Sequence, residues 1–222
     1  MKRASDITER DKAYGSTRPE VLRVLPAFEG PVLDIGCYGG ALGADLKRRR
    51  PGSVVWGVEL DADAACVAAT RLDHVLQMDA QEALDRLAQE EFSPGLVILA
   101  DVLEHLVDPW SVFDEAARLV RPGGHLVVSL PNIGHWDTHY NLLRGRWPYR
   151  SRGIHDDTHL RFFARQNVIA LMNRGPMQLD RMKRVLRLVE RPSPLNRLAP
   201  LLCWPLPAPF TYQFLAVSTK GS

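Results

Sequence analysis

The stretch Val32-Leu33-Asp34-Ile35-Gly36-Cys37-Tyr38-Gly39-Gly40 is a short apolar run that ends in a glycine-rich turn. The run has the length and apolar character of a buried strand, and the pattern over residues 41–50 predicts a helix directly after the turn. A glycine-rich turn between a first strand and a helix lets a ligand approach the backbone closely. Such a turn also serves as a simple tight connection, so its meaning depends on the rest of the chain.

Downstream of this turn, apolar runs and helical patterns alternate as far as residue 130. The run over residues 96–100 is apolar throughout, which is typical of a strand buried on both faces of a parallel sheet. The alternation predicts an α/β fold with a doubly wound, Rossmann-like, mostly parallel sheet and right-handed crossovers. The other predicted strands cover residues 54–58, 74–78 and 125–130, and the predicted helices cover 62–72, 80–90 and 110–119.

The character of the chain changes after Pro131. Residues 132–165 are rich in aromatic, histidine and arginine side chains, with weak periodicity, and we predict that they form a small cap insertion over the carboxyl edge of the sheet. The pattern predicts a helix over residues 165–173, a basic amphipathic strand within residues 179–190 and the last strand over residues 211–219. We expect residues 1–222 to form a single domain with this one cap.

Length, composition and charge narrow the class of protein. The chain has 222 residues, 45% of them apolar, and a net charge of +2, which fits one globular domain and gives no strong field that would favour nucleic acid. Cys37, Cys66 and Cys203 are scattered without paired spacing, which predicts reduced thiols in a cytoplasmic protein. The polar N-terminus predicts no signal peptide, and no apolar run reaches the ~20 residues of a transmembrane segment.

Acidic side chains follow the predicted strands at the edge where ligands bind in open α/β sheets. Glu59 closes the second strand, at about the distance from the glycine-rich turn at which a carboxylate accepts the hydroxyls of a ribose. Asp79 follows the third strand, on the side where an adenine amino group would lie. Any one of these residues could be a helix cap or turn residue, but their common register with Asp34, Gly36 and Gly40 predicts a nucleotide-type cofactor site.

Together these residues resemble the class I S-adenosylmethionine (SAM)-dependent methyltransferases, whose first motif is written D/E-x-G-x-G-x-G. Asp34, Gly36 and Gly40 match that motif, and Tyr38 stands where its middle glycine would be. The resemblance extends over residues 100–106 and 119–124, so that it spans about residues 30 to 130.

The resemblance implies a seven-stranded sheet with helices on both faces and SAM as the cofactor. An N-terminal aromatic side chain covers SAM in similar enzymes, and Tyr14 is the candidate for that role or for ordinary packing; Arg18, nearby, is given no role. The residues implied to bind the cofactor are Asp34, Gly36, Cys37, Gly39, Gly40, Glu59, Leu60, Asp79, Ala80 and Asp101.

Two shorter stretches resemble narrower groups of proteins, and this resemblance indicates which class of acceptor is favoured. Residues 129–136 look like proteins of the methionine-biosynthesis W type, and residues 156–163 look like presumed O-methyltransferases of polysaccharide pathways. The implied reaction is O-methylation of a small-molecule or carbohydrate hydroxyl, with the acceptor entering from the cap. The arginines of the cap would favour an anionic acceptor, but a solvated basic surface with scattered ion pairs is the simpler explanation of them.

Histidines supply the candidate catalytic groups: His105 in the implied acceptor pocket, and His135 and His159 as candidate general bases, because a neutral imidazole can take a hydroxyl proton. A structural histidine is as good an interpretation of each. Asp101, Glu104 and His105, with His159, also resemble the divalent-cation ligands of ubiquinone-type and small-RNA methyltransferases. Mg²⁺ or Mn²⁺ would lower the pKa of an acceptor hydroxyl, but aspartate in place of glutamate at the first position argues against it, and we assign no metal ligand.

Two other functions remain open at this stage, a metal-dependent RNA-terminal 2′-O-methyltransferase and a non-catalytic, methyltransferase-like regulator of a partner enzyme. The apolar residues 198–210, which include Trp204, would rest on a membrane surface, on the domain itself or on a second subunit of a homodimer.

Overall fold

The computed structural model describes residues 17–189, 193–203 and 205–221, and Tyr14 and Trp204 lie outside the described residues. Seven strands form one sheet: β1 Val32–Ile35, β2 Val55–Glu59, β3 His74–Gln77, β4 Leu96–Ala100, β5 His125–Pro131, β6 Met177–Leu186 and β7 Thr211–Lys220. The α-helices are α1 Pro19–Leu22, α2 Ala41–Arg49, α3 Ala62–Ala69, α4 Ala80–Gln89, α5 Pro109–Leu119, α6 Trp136–Leu143, α7 Arg165–Met172 and α8 Ala199–Leu202, and 3-10 helices cover Leu103–His105 and Pro194–Leu198.

The strands are arranged in the order β3-β2-β1-β4-β5-β7-β6. The first five strands are parallel, whereas β7 pairs antiparallel with both β5 and β6. The predicted doubly wound, mostly parallel seven-stranded sheet is confirmed. Strand order reverses between β1 and β4, and ligands bind at the carboxyl ends of strands beside such a reversal.

The continuous apolar run of β4 shows why the sheet is buried on both faces. Leu96 and Ile98 pack into the core on one face, whereas Val97 and Leu99 pack into the core on the other face. Side chains alternate across a strand, so a strand with helices on both sides needs apolar residues at every position.

Aspartates begin the helices that follow β2, β3 and β4. Asp61, Asp79 and Asp108 each accept backbone N–H bonds from the first turn of α3, α4 and α5 respectively. This capping satisfies N–H groups that have no partner within the helix. The capping bonds set the points at which the chain leaves the carboxyl edge of the sheet.

The segment predicted as a cap, residues 132–165, contains one helix, α6, followed by an irregular stretch that returns to the sheet edge. Asn132 forms an isolated bridge with Phe163. The backbone N–H groups of Leu160 and Arg161 donate to the carbonyl oxygen of Glu104 over 2.8 and 3.0 Å. These bonds hold the far end of the segment against the 3-10 helix after β4, while its role as an acceptor-side cap stays a prediction.

The predicted basic strand is β6, but it begins at Met177 and ends at Leu186, a few residues earlier than the sequence pattern indicates. The pairing with β7 decides this, because Met177 already pairs with Lys220. No helix within the described ranges is long and apolar enough to cross a membrane.

Candidate functional site

A cavity of about 280 Å³ opens at the carboxyl ends of β1, β2 and β4. The structure brings eight of the predicted cofactor residues together on its wall: Asp34, Gly36, Cys37, Glu59, Leu60, Asp79, Ala80 and Asp101. Gly39 and Gly40 are not among the described lining residues. Gly40 instead starts α2 beside Ala68 and Leu72, where a Cβ would come within 3.2 Å of the Ala68 backbone. Its role is the close approach of two helices.

The glycine-rich turn has a left-handed backbone at three positions. One of them is Tyr38, which stands where the family motif has its middle glycine. Gly36, Tyr38 and Gly40 have φ values of 69°, 47° and 71°. The strained position of Tyr38 is stabilised by its backbone N–H, which donates to Glu59 Oε2 over 2.8 Å. Tyr38 therefore adopts a left-handed backbone although it is not a glycine.

Glu59 is held at the end of β2 by two backbone donors. Its Oε2 accepts the N–H of Tyr38, and its Oε1 accepts the N–H of Asp61 over 2.9 Å. The carboxylate is fixed between the turn after β1 and the start of α3. A carboxylate fixed in this way at the wall of a cavity is placed to accept further hydrogen bonds from a ligand.

Asp34 lies inside β1 and is almost fully buried, at 2% exposure. Burial raises the pKa of its carboxyl to about 7, although the nearby Arg18 guanidinium acts in the opposite direction. Among the described residues its Oδ2 has no hydrogen-bond partner. Burial also raises the pKa of the neighbouring Cys37 thiol, which is therefore neutral at physiological pH.

Asp34 leads to a prediction for the pH dependence of stability. Because its pKa rises from 3.8 to about 7 on folding, the native chain holds a proton that the unfolded chain has lost in this range. The free energy of unfolding should therefore fall as the pH rises through this window, by up to about 4 kcal/mol. An Asp34→Asn variant should lack this fall. Urea denaturation at about pH 4.5 and about pH 7.5 gives the free energy of unfolding of both proteins. An equal change in this free energy between the two pH values in both proteins would contradict the prediction.

Asp101 is the centre of a polar network at the end of β4. It adopts a left-handed backbone, with φ of 58°, and its carboxylate forms an ion pair with Arg18. Its Oδ1 also accepts hydrogen bonds from Ser129 Oγ over 2.7 Å and from Gln213 Nε2 over 2.6 Å. Side chains from β5 and β7 thus fix the acid that holds Arg18.

Arg18 is the functional candidate that the sequence did not reveal. It precedes Pro19 before the first strand, with no motif around it, yet its guanidinium lines the cavity beside Asp34 and Asp101.

Asp79 lies on the cavity wall and also caps α4, because its Oδ1 accepts the N–H of Glu82 over 2.9 Å. The capping and binding interpretations of Asp79 are compatible.

A second group of side chains adjoins the cavity through His105. Glu104, His105 and His159 place one ligand atom each within 4.8 Å of one another. The rings of His105 and His159 lie edge to face with centroids 4.8 Å apart. Asp101 is outside this group, because it is paired with Arg18. The structure therefore joins His159, which comes from the segment 132–165, to the turn after β4.

The hydrogen bonds of the two imidazoles define their tautomers. His159 Nδ1 lies 3.2 Å from the carbonyl oxygen of Ile154, which can only accept, so Nδ1 carries the proton. His105 Nδ1 lies 3.1 Å from Thr158 Oγ1, which itself donates to Asp156. Nε2 is then the basic atom of both rings, and burial lowers the pKa of His159, which keeps that ring neutral.

Glu104 is fully buried beside these rings, at 1% exposure. Burial, and after it the neighbouring Asp101, raises the pKa of the Glu104 carboxyl well above its ordinary value. Its Oε2 has no hydrogen-bond partner among the described residues. A buried carboxyl in this state is either protonated or neutralised by a positive charge.

His135 lies apart from this group. It is fully buried and starts α6, where its Nδ1 accepts the N–H of Asp137 over 3.2 Å. Its Nε2 lies 3.0 Å from the carbonyl oxygen of Arg187 and donates to it. Both ring nitrogens are thus committed to the backbone, and His135 is not among the residues that line the cavity. We assign it a structural role in place of the catalytic one that the sequence suggested.

Comparison with known proteins gives a family match over most of the chain. The model of a methyltransferase domain family matches residues 9–174. A ubiquinone biosynthesis O-methyltransferase from Alkalilimnicola ehrlichii is 37% identical over 119 residues, which cover 50% of this chain and 46% of that enzyme. The chain thus matches about half of that relative's length.

Solved structures show the same fold. A SAM-dependent methyltransferase from Archaeoglobus fulgidus superposes with a TM-score of 0.66 at 19% identity, covering 96% of this chain and 99% of the other. Magnesium protoporphyrin IX methyltransferase from Synechocystis PCC 6803, with bound SAH, superposes with a TM-score of 0.60 at 15% identity, covering 98% and 86%. The narrower resemblance to W-type and polysaccharide-pathway proteins stays a prediction.

The strand order, the cavity at the carboxyl edge and the family match over residues 9–174 agree with one another. The chain belongs to the methyltransferase domain family and has the fold of the class I SAM-dependent methyltransferases.

Proposed function

We propose that this chain transfers the methyl group of SAM to a hydroxyl oxygen of a small-molecule acceptor. The observation that carries this proposal is the position of His105, which lines the cofactor cavity and also contacts His159 and lies beside Glu104. A group that can accept a proton thus adjoins the cavity of a methyltransferase. The O-methyltransferase relative, which matches half of the chain, supports oxygen as the methylated atom.

The side chains around the cavity fit SAM. Glu59 would accept the ribose hydroxyls, and Asp79 lies where the adenine amino group would approach. The buried carboxyl of Asp34, with its unpartnered Oδ2, suits the ammonium group of the methionine part, and Arg18 suits its carboxylate. Bound SAM supplies a methyl group activated by the positive charge of its sulfur.

The residues beside the cavity would position the acceptor and accept its proton. In the transfer, the bond from sulfur to methyl breaks as the bond from oxygen to methyl forms, and the hydroxyl proton leaves. Nε2 of His105 or His159 is the basic atom that can take this proton. Fixing the acceptor oxygen in line with the methyl group supplies much of the rate, because it removes the entropy of bringing two molecules together.

A divalent cation between Glu104, His105 and His159 is a second candidate feature, favoured by the convergence of their ligand atoms. The unpartnered Oε2 of Glu104 fits a cation, which would allow the buried carboxyl to ionise. One carboxylate and two imidazoles suit Mn²⁺ better than Mg²⁺. Such an ion would hold the acceptor hydroxyl and lower its pKa. Because it would occupy the basic ring nitrogens, it would replace the histidines as proton acceptors.

The nature of the acceptor follows from the same surroundings. We infer that the acceptor is a carbohydrate or other small hydroxyl compound that enters between the cavity and residues 132–165, and the arginines of that segment favour an anionic one. The free cysteines support a cytoplasmic location. The net charge of +2 gives no support to the RNA-methylating alternative, and the eight predicted cofactor residues that line the cavity favour an enzyme over a non-catalytic regulator.

Methyl transfer from labelled SAM to a panel of phenolic, sugar and nucleoside hydroxyls tests the proposal. Label in a phenolic or sugar product, at the oxygen, supports it; label only in a nucleoside would favour the RNA-type alternative, and label in none would contradict transfer to these acceptors.

Chelation gives a separate prediction for the cation. Treatment with EDTA should abolish transfer while leaving SAH binding intact, and Mn²⁺ should restore transfer. Glu104→Gln should lower transfer at least tenfold, whereas Glu82→Gln on the exposed surface of α4 should not. If transfer persists unchanged in EDTA, the reaction does not need the cation, and the histidines are the only proton acceptors left in the proposal.

A further inference from the structure

Exposed apolar side chains are concentrated in two segments of the chain. Of the sixteen large apolar side chains that are exposed among the described residues, nine fall within residues 140–149 and 195–206. Leu143 is 89% exposed, Tyr149 77% and Leu201 75%. Single exposed apolar side chains are ordinary, but such a concentration marks an interaction surface. The nine are Tyr140, Leu142, Leu143, Tyr149, Leu195, Leu198, Leu201, Leu202 and Leu206.

Both segments lie at the carboxyl edge of the sheet, the edge that carries the cofactor cavity. Residues 140–149 follow β5, and residues 195–206 connect the carboxyl end of β6 to the start of β7. Leu188 connects the start of α6, the helix that leads into the first segment, with the second segment. Its carbonyl accepts from Trp136 Nε1 over 2.8 Å, and its N–H donates to Asn196 Oδ1 over 2.9 Å. We call residues 140–149, 195–203 and 205–206 the carboxyl-edge face.

The helix α8 shows that the exposed leucines are not needed to hold the fold together. Ala199 and Cys203, one helical turn apart, are buried against the domain. Leu198, Leu201 and Leu202 point the other way and are between 48% and 75% exposed. The helix is therefore apolar on the inner side and on the outer side. An outer side of leucines is the reverse of what a helix on a globular protein normally presents to water.

The charge of the same region is one-sided. Residues 140–149 contain Arg144 and Arg146, residues 195–206 contain Arg197, and neither segment contains an aspartate or a glutamate. Arg144 and Arg146 are both exposed, and Arg144 also contacts the Tyr140 ring and hydroxyl. Leucine and aromatic side chains combined with arginine are typical of segments that lie in the interface of an anionic bilayer.

We propose that the carboxyl-edge face docks on the surface of an anionic lipid membrane. A second copy of this chain fits the face poorly, because a two-fold contact would bring the same arginines together with no acid in either segment to pair with them. Lipid headgroups with negative charge complement the arginines, and the leucines enter the boundary between headgroups and acyl chains. Docking would hold the cofactor cavity close to the membrane surface.

Co-sedimentation of the full chain with vesicles tests the proposal and does not depend on methyl transfer. Vesicles of equal parts phosphatidylcholine and phosphatidylglycerol should pellet the chain, whereas pure phosphatidylcholine vesicles should bind it about tenfold less. Raising the salt concentration should weaken binding to the anionic vesicles. Failure to bind anionic vesicles would overturn the proposal.

Matched variants separate the membrane from other partners. The double variant Leu201→Glu, Leu202→Glu and the double variant Arg144→Glu, Arg146→Glu should each lower vesicle binding about tenfold or more. Val54→Glu and Val67→Glu, at sites outside the carboxyl-edge face with 44% exposure each, should leave it unchanged. Retained binding of SAH shows that each variant is folded. If sedimentation equilibrium shows a dimer that the leucine variant dissociates, and vesicles do not bind, the face is a subunit contact and the proposal is wrong.

Discussion

Replacing Glu59 with alanine should lower the affinity for SAM by about 100-fold or more. The two charge-assisted hydrogen bonds that we propose between Glu59 and the ribose would be lost, each contributing about 1.5 kcal/mol or more. The two backbone bonds from Tyr38 and Asp61 would be lost as well, so the left-handed turn after β1 would lose its support. Equilibrium dialysis with labelled SAM measures the affinity.

The matched control for this change is Glu29→Ala. Glu29 is a glutamate at the surface, away from the cavity, with a side chain that is 84% exposed and paired with Arg121. Its loss should leave SAM affinity unchanged within twofold, because exposed ion pairs contribute little. An affinity of Glu59→Ala equal to that of the wild type would remove Glu59 from the cofactor site and would place the ribose elsewhere.

Introducing alanine at Gly36 should destabilise the fold and also prevent cofactor binding. The position has a φ of 69°, and a Cβ there would lie 2.5 Å from Val102 Cγ2. The left-handed backbone costs a residue with a Cβ about 1 kcal/mol, and the overlap with Val102 adds about 1 to 3 kcal/mol. Thermal and urea denaturation measure the first effect, and SAH titration of the folded fraction measures the second.

Gly123→Ala separates the backbone strain from the overlap. Gly123 has a φ of 72°, and apart from its chain neighbours no atom of the described residues lies within 4 Å of the position that its Cβ would take. This variant should therefore show only the backbone cost of about 1 kcal/mol and should bind SAH normally. If Gly36→Ala were no less stable than Gly123→Ala and bound SAH equally well, the close approach of the turn to the cofactor would be contradicted.

The order of the elements was predictable from the sequence because each signal was local. The fully apolar residues 96–100 indicate a strand buried on both faces, and the glycine-rich turn after Ile35 marks the end of β1. Glu59 and Asp79 could be placed because carboxyl ends of parallel strands meet at one edge. Eight of the ten predicted cofactor residues line one cavity for this reason.

Contacts between distant segments were not predictable in the same way. Arg18 reaches Asp101 across 83 positions of the chain, and no periodicity or spacing connects the two. His135 and His159 look alike in the sequence, but only His159 reaches the group beside the cavity. His135 starts a helix, and a helix start with a histidine cap has no strong sequence signal. Tertiary placement alone distinguishes the two histidines.

The irregular segments gave the weakest predictions for the same reason. The exposed leucines between residues 195 and 206 read as an apolar segment that a domain would normally bury. The structure instead buries Ala199 and Cys203 and leaves the leucines at the surface. Which side of a short helix faces inward depends on what packs beneath it, and a four-residue helix is too short to show a period.

The most direct test of the central claim is calorimetric titration of SAH, the demethylated product of SAM, into the full chain. We expect binding at one site with a micromolar dissociation constant, lost in Glu59→Ala and retained in Glu29→Ala. The same titration with EDTA and with Mn²⁺ should give equal affinities, because the cation ligands adjoin the cofactor cavity without overlapping the proposed SAM contacts. A folded chain that binds neither SAH nor SAM would contradict the assignment of the cavity as a SAM site, and with it the proposed methyl transfer.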